Sequence, residues 1–265
     1  MESTLTLKKS DLDGAAGFFL GYGRGADNSE TAWTTQQQNA IDFCVKSGLR
    51  QFYQPHPMNG GAAHDWSFLH PVALLALASG AKTVDLPDDF GGFEGQLTLS
   101  SSSSSAYYPV DLTSVGKVYA QEAMNSTTTG TPRMACEEPL KGTGAARGQQ
   151  FQLHVWPIAD AAYTIRGQYY LLGSALDGTR PYAYGGSAHS ETIQAAVLAA
   201  CELYLDGIRG PQWEYYQERL SASISVDSRH KPQNLGYVGD NSDGRRMYMP
   251  RRNDQAVVTF NGTEY

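Results

Sequence analysis

Apolar residues recur at three- and four-residue steps in several stretches of the chain, and each predicts a helix. Over residues 10–20, Leu12, Ala15, Ala16, Phe19 and Leu20 fall near one face, with Ser10 and Asp11 at the start and Gly21 and Gly23 just beyond the end. Over 34–53, Ile41, Cys44, Val45, Gly48, Leu49 and Phe52 keep the helical period. Thr34 or Thr35 can cap it, Trp33 reads as a staple at its start, and Pro55 and Pro57 stop it. Gly48 inside that pattern costs about 1 kcal/mol relative to alanine, which the close approach of another backbone would justify.

The period then shortens to that of strands. Residues 66–69, 72–77 and 83–86 are short apolar runs, and Ser79-Gly80-Ala81 between the last two reads as a hairpin turn. Residues 97–99 continue the sheet, and the six serines at 100–105 read as a loop. A third helix is expected over 111–124, with Asp111 near its cap and Val115, Val118 and Tyr119 on one side. Strands follow at 133–137, 150–156 and 163–172, with a Gly- and Ala-rich loop at 141–148 and a bulge signalled by Gly167.

Residues 187–208 form the clearest helix, capped by Ser187 or Ser190. Ile193, Ala196, Val197, Ala200, Cys201, Tyr204, Leu205 and Ile208 make its apolar stripe. Gly210-Pro211 breaks it before a last helix over 212–226, in which Trp213, Tyr216, Leu220, Ser223 and Ile224 are in phase. Runs of helix and strand, rather than strict alternation, define an α+β chain. The expected architecture is a helix bundle, from the N- and C-terminal helices, packed with a hairpin-rich, mostly antiparallel β-sheet. Residues 1–228 form the body, with strands mainly within 66–172, and 229–265 form an extended C-terminal arm.

Charge supports that division. The chain carries a net −7. The arm holds six Lys/Arg (Arg229, Lys231, Arg245, Arg246, Arg251 and Arg252) against four Asp/Glu, a net of +2 that leaves −9 on the body. A grip on nucleic acid through phosphates needs a basic surface, and this chain has none overall, although an acidic wall can stand next to DNA and let a duplex slide. A basic arm on an acidic body suits docking onto an acidic partner, although a solvated tail accounts for it equally. The 16 tyrosines suit half-wet contact surfaces, since a phenol offers both a ring and a hydroxyl. The first residues lack an apolar signal-peptide core, and the longest apolar run, 72–78, is too short to span a bilayer.

Candidate chemistry is sparse. Cys44, Cys136 and Cys201 are far apart and form no CxxC, so free buried thiols are expected. His56, His64, His70, His154, His189 and His230 show no HxxxH pair, so no metal and no cofactor is expected. Asp88 and Asp89 are adjacent and would point opposite ways in extended chain, which suits a turn better than a cooperating acid and base. Gly185-Gly186-Ser187-Ala188-His189-Ser190 is not GxSxG and opens a helix, where serine caps are common. No phosphate-cradling glycine loop occurs. Trp66, Trp156 and Trp213 read as core or subunit-contact residues.

Several ordered motifs carry a family resemblance. KSGLRQFYQP (46–55), WSFLHP (66–71) and VDLPDDFGGFEGQLTL (84–99) are followed by GTPRMA (130–135) and LHVWPIADAAYTIRGQYY (153–170). YAYGGSAHSETIQAAVLAACEL (182–203), ERLSASISVDSR (218–229) and LGYVGD (235–240) complete the series. In this order the chain resembles head-to-tail adaptor proteins of tailed bacteriophages from about residue 11 to 240. It departs from their pattern at Trp156-Pro157-Ile158-Ala159-Asp160, where a proline- and aspartate-richer turn is usual, and in the six-serine run.

The resemblance implies a virion structural protein rather than an enzyme. Such adaptors form a ring, typically of twelve subunits, beneath the portal protein. The ring extends the DNA channel and docks the next neck or tail component. Expected partners are the portal, neighbouring copies and that downstream protein. Double-stranded DNA would pass through without specific binding, and no membrane is involved. The expected location is the neck of the virion, after assembly in the host cytoplasm. Arg229, Lys231, Arg245, Arg246, Arg251 and Arg252 are the candidate partner-contact residues. Two alternatives stay open: another neck protein, such as a stopper or tail terminator, and a carbohydrate-active virion enzyme, which would need a pair of cooperating carboxylates.

Overall fold

A computed structural model describes residues 4–23, 32–57, 63–101, 107–140 and 149–229, and a short hairpin of Thr259–Phe260 with Thr263–Glu264. The chain divides into two units, Met1–His230 and Lys231–Tyr265. The expected serine loop past residue 101, the 141–148 loop and most of the C-terminal arm lie outside the described residues.

Among the described residues, five α-helices form the α part of the first unit: α1 (Lys9–Phe19), α2 (Thr35–Tyr53), α3 (Val115–Met124), α4 (Gly186–Asp206) and α5 (Pro211–Asp227). Helix α2 starts on a capping box: the Gln37 amide donates to Thr34 Oγ1, and the Thr34 amide donates to Gln37 Oε1. Trp33 is no staple on its own helix. Its ring lies against Gly17 of α1, and its Nε1 donates to the Gly23 carbonyl. Serine caps are also absent from α4. Gly185 takes the cap position at φ 101°, and Ser190 Oγ donates back to Gly186 O while accepting the Leu7 amide. The left-handed backbone at 185 selects glycine over a serine cap.

The bundle expected from the N- and C-terminal helices is present. Helix α4 runs between α2 and α5 and is buried on nearly every side from Thr192 to Glu202. Thr192 Oγ1 lies 2.6 Å from Ser223 Oγ, and the Tyr216 hydroxyl donates to Gln51 O, which ties α5 to both neighbours. Lys9 of α1 bridges Asp13 and Asp42, joining α1 to α2.

Seven strands form one sheet: β1 (Val72–Leu77), β2 (Thr83–Asp85), β3 (Phe90–Ser101), β4 (Tyr107–Leu112), β6 (Met134–Leu140), β7 (Gln150–Trp156) and β9 (Tyr163–Leu171). Their order is β1-β9-β3-β4-β6-β7-β2, antiparallel except for the parallel β4–β6 pair. Two short strands, β5 (Thr129–Gly130) and β8 (Ile158–Ala159), pair separately. The fold is therefore α+β with a mostly antiparallel mixed sheet.

The edge strands β1 and β2 are consecutive in the chain, so the sheet must curl. Flat, seven strands would hold their edges about 29 Å apart at ~4.8 Å per step. The six residue steps from Leu77 to Thr83 reach no more than about 21 Å. One core cluster fills the curl and continues into the bundle: Leu75, Leu99, Leu153 and Ile165 from strands join Ile41, Phe52 and Ile193 from helices. At the junction sits Trp66, fully buried, with its Nε1 donating to Phe52 O and its ring against Phe52, Phe68 and His189.

Several expected elements differ. Residues 66–69 are not a strand: Ser67–Leu69 is a 3-10 turn, because the Leu69 amide bonds Trp66 O and the Ser67 amide bonds Asp227. β1 and β2 do not form a hairpin; β1 pairs with β9 and β2 with β7. The chain between them is pinned onto β8, where Gly80 N donates to Ala159 O. The strand read at 97–99 spans the twelve residues of β3. The helix expected from 111 starts at 115, and Asp111 lies in β4, its amide bonded to Arg133 O. The bulge lies on β3 and not on β9. Glu94 faces Gln168 and Thr98 faces Arg166, which leaves three β3 residues opposite Gly167. A Cβ at 167 would meet Leu97 Cδ2 at 2.2 Å, so the glycine accommodates the bulge of its neighbour.

Candidate functional site

The root of the arm is held by one buried carboxylate. Asp227 ends α5 and is 1 % exposed. It accepts from the Ser67 amide, from Ser67 Oγ at 2.5 Å, and pairs with His64 Nε2 at 2.8 Å. Burial alone would push this carboxyl up; the bonds from Ser67 and His64 outweigh it and hold the group below the usual carboxylate range. Serine and histidine both address the aspartate and not each other, so this is a tether rather than a nucleophile–base pair. It fastens the 64–67 segment to the point where the arm begins. Among the predicted contact residues, Arg229 lies just past this tether and is exposed. Lys231, Arg245, Arg246, Arg251 and Arg252 lie outside the described residues.

A second polar cluster lies on β6 and β7. His154 is buried and stands opposite Cys136, 3.4 Å from Glu122 and 3.6 Å from Glu138, with the Tyr119 ring edge-on. Glu138 accepts from Tyr119 and Gln152, which holds it low, and the Tyr119 phenol is pushed up to about 12 by that bond. Burial, then the Glu138 charge, pushes the Cys136 thiol up, the reverse of what a thiolate nucleophile needs. Lys82 neutralises Glu122 from the rim. The cluster fastens α3 to the sheet.

Cys44, Cys136 and Cys201 are free and buried. Cys44 and Cys201 meet between α2 and α4, where the hydrogen bond to Cys44 and burial push Cys201 up. Asp88 and Asp89 occupy the turn before β3, and Asp89 O accepts the Leu172 amide. Among the described residues, no group of three or more His, Cys, Asp or Glu is placed to hold a metal ion. No described helix is long and apolar enough to cross a membrane.

The feature that the apolar pattern misassigned is the end of α4. Tyr204, Leu205 and Ile208 belong to the predicted core stripe, yet they are 48, 50 and 68 % exposed, and Leu203 is 40 % exposed. Residues 203–206 are all exposed, and four consecutive residues make a full helical turn. The last turn of α4 therefore stands clear of the bundle. Beside it, exposed Phe43 of α2 lies 5.9 Å from the Tyr204 ring, and the Arg209 guanidinium covers Trp213. The signal was present in the sequence: Leu203, Tyr204 and Leu205 are contiguous and cannot share one buried face.

A buried carboxylate positions this tip. Glu202, 5 % exposed, accepts from the amides of Gly210 and Gln212 at the start of α5 and shares the Trp213 amide with the Gly210 carbonyl. The last turn of α4 and the corner after it are thus rigidly presented. A rigid cluster of exposed large apolar side chains is the mark of a protein-contact surface. No family model matches the chain, and no curated protein matches it.

Proposed function

We propose that this chain is a head-to-tail adaptor of a tailed bacteriophage. It is a virion structural subunit that rings the DNA channel beneath the portal and receives the next neck or tail component. The ordered motifs between residues 46 and 240 support the family. The structural observation that carries a role in assembly is the exposed apolar turn at Leu203, Tyr204, Leu205 and Ile208, held out from the bundle by Glu202. In this reading the copies meet through heterologous contacts that close a ring. The basic arm, from Arg229 through Arg251 and Arg252, reaches the portal or a neighbour, rooted by the Asp227 tether. The acidic body lines a path along which duplex DNA slides.

Electron microscopy of the purified protein mixed with its portal tests the reading. A ring of this chain seated on the portal is the expected result, and portal rings that stay bare would refute it. Deleting the residues after Ser228 should abolish or weaken attachment; undiminished attachment removes the arm from the interface.

A further inference from the structure

The outer face of β1 combines two features that sheet edges normally avoid. Val72 and Leu74 are 49 and 69 % exposed, and Ala76 lies on the same face. β1 is also an edge strand, hydrogen-bonded to β9 alone and facing β2 across the seam of the curl. Edge strands of monomers are usually blunted by lysine, proline or a bulge. β1 reads Val-Ala-Leu-Leu-Ala-Leu and has none of these. Directly across the ladder from Leu74 stands Arg166, exposed and without an ion pair among the described residues.

The tip of α4 has the complementary composition. Leu203, Tyr204, Leu205 and Ile208 surround Asp206, which is exposed and has no ion pair among the described residues. Each patch is apolar and carries one charge with neither an ion pair nor a ring contact among the described residues, Arg166 on β1 and Asp206 on the tip, whereas the neighbouring Arg209 is turned onto Trp213. The patches of one copy cannot meet. β1 turns Leu75 and Leu77 inward to the same core that buries Ile193 and Val197 of α4, so its outer face points away from the bundle.

We infer that the α4 tip of one copy seats on the outer face of β1 of the next, with Asp206 facing Arg166. The inference rests on the adaptor reading and specifies its subunit contact. Two different patches make the contact heterologous, so it propagates around a ring and does not stop at a dimer. A stable free-standing interface engages roughly 20–30 residues a side, and these patches are far smaller. The isolated pair is therefore weak, and ring closure or a portal template supplies the remaining stability.

Oxidative cross-linking of the full chain tests it. The native cysteines are buried, so introduced thiols report alone. Leu74→Cys with Leu205→Cys in one chain should give a ladder of multimers on a denaturing gel, while either single variant gives no ladder. On that double-cysteine background, Asp206→Arg or Arg166→Asp should abolish the ladder, and the two together should restore it. A double-cysteine chain that stays monomeric both alone and mixed with portal rings overturns the contact, as does equal cross-linking by a single variant, which would mark a two-fold dimer. Protection of Leu74→Cys from a soluble maleimide in dilute protein, lost on removing residues 231–265, overturns it in favour of the chain's own arm. A ladder without portal attachment keeps the contact and removes the adaptor reading; portal attachment without a ladder does the reverse.

Discussion

Gly48 of α2 and Val197 of α4 touch backbone to backbone: a Cβ at position 48 would lie 2.6 Å from Val197 Cα and 2.7 Å from its amide nitrogen. Neither atom can rotate away, so a methyl group there forces two buried helices apart. Overpacking costs about 1–3 kcal/mol, and a clash with backbone atoms falls in the upper part of that range, about 2–3, of which the better helix propensity of alanine returns about 1. Gly48→Ala should therefore lower unfolding stability by about 1–2 kcal/mol in urea titration. A neutral or stabilising result would show that α2 and α4 are not in contact at this level.

That contact was readable from sequence as an expectation, because a glycine inside the regular period of Ile41, Cys44, Val45, Leu49 and Phe52 needs a reason. The limits of α2 and β7 were readable for the same cause: their periods are unbroken and their ends carry Thr34, Pro55 and Pro157. β3 was not, since Gly91, Gly92 and Gly95 remove the side chains that would reveal alternation, and their role is to admit Tyr170 and to form the bulge. β4 was lost because Asp111 imitates a helix cap, while Ser114 holds that position. Strand partners were illegible throughout. Pairing of β1 with β9 spans about ninety residues and is chosen by the curl of the whole sheet. The contact surface on α4 was hidden by its own hydrophobicity, since periodicity reports what a helix could bury and not where its neighbours end.

The Asp227 tether gives the protein a pH dependence with a defined sign. The folded carboxyl lies below the unfolded value of about 3.9. Its contribution is therefore complete above about pH 4 and is lost as pH falls through the folded value. Asp227→Asn should cost about 2 kcal/mol at neutral pH, through weaker bonds to Ser67 and His64. The gap in melting temperature between the two proteins should close as the solution is taken below pH 4. A gap that is constant down to pH 2 would place the carboxyl outside the tether.

The charge division predicts how the protein treats DNA. With −9 on residues 1–228, the body as a whole repels phosphate, and the net-positive arm is the part suited to counterion release. Duplex affinity measured by anisotropy should be weak, and whatever remains should vanish on deleting residues 229–265. Tight binding with a steep salt slope that survives the deletion would contradict a channel along which DNA slides.

Glu202 links stability to assembly in one residue. Its carboxylate takes three amides at the start of α5, at 3.0 to 3.3 Å, where the helix dipole also favours negative charge. Gly210 is glycine because a Cβ there would come within 2.6 Å of Glu202 Oε1. Glu202→Ala leaves the Gly210 and Gln212 amides without this acceptor beside a cavity, while Trp213 keeps its bond to Gly210 O, and should cost about 2–3 kcal/mol. Glu202→Gln keeps an acceptor oxygen and should cost about half as much. Because the exposed turn of α4 begins at the next residue, the alanine variant also releases Leu203, Tyr204, Leu205 and Ile208 from a fixed orientation. Its cross-linking between copies should then fall at temperatures well below its own melting point, where the rest of the body is folded. A Glu202→Ala protein within about 0.5 kcal/mol of the parent would deny the cap. One that is destabilised yet assembles fully would show that the tip needs no such support.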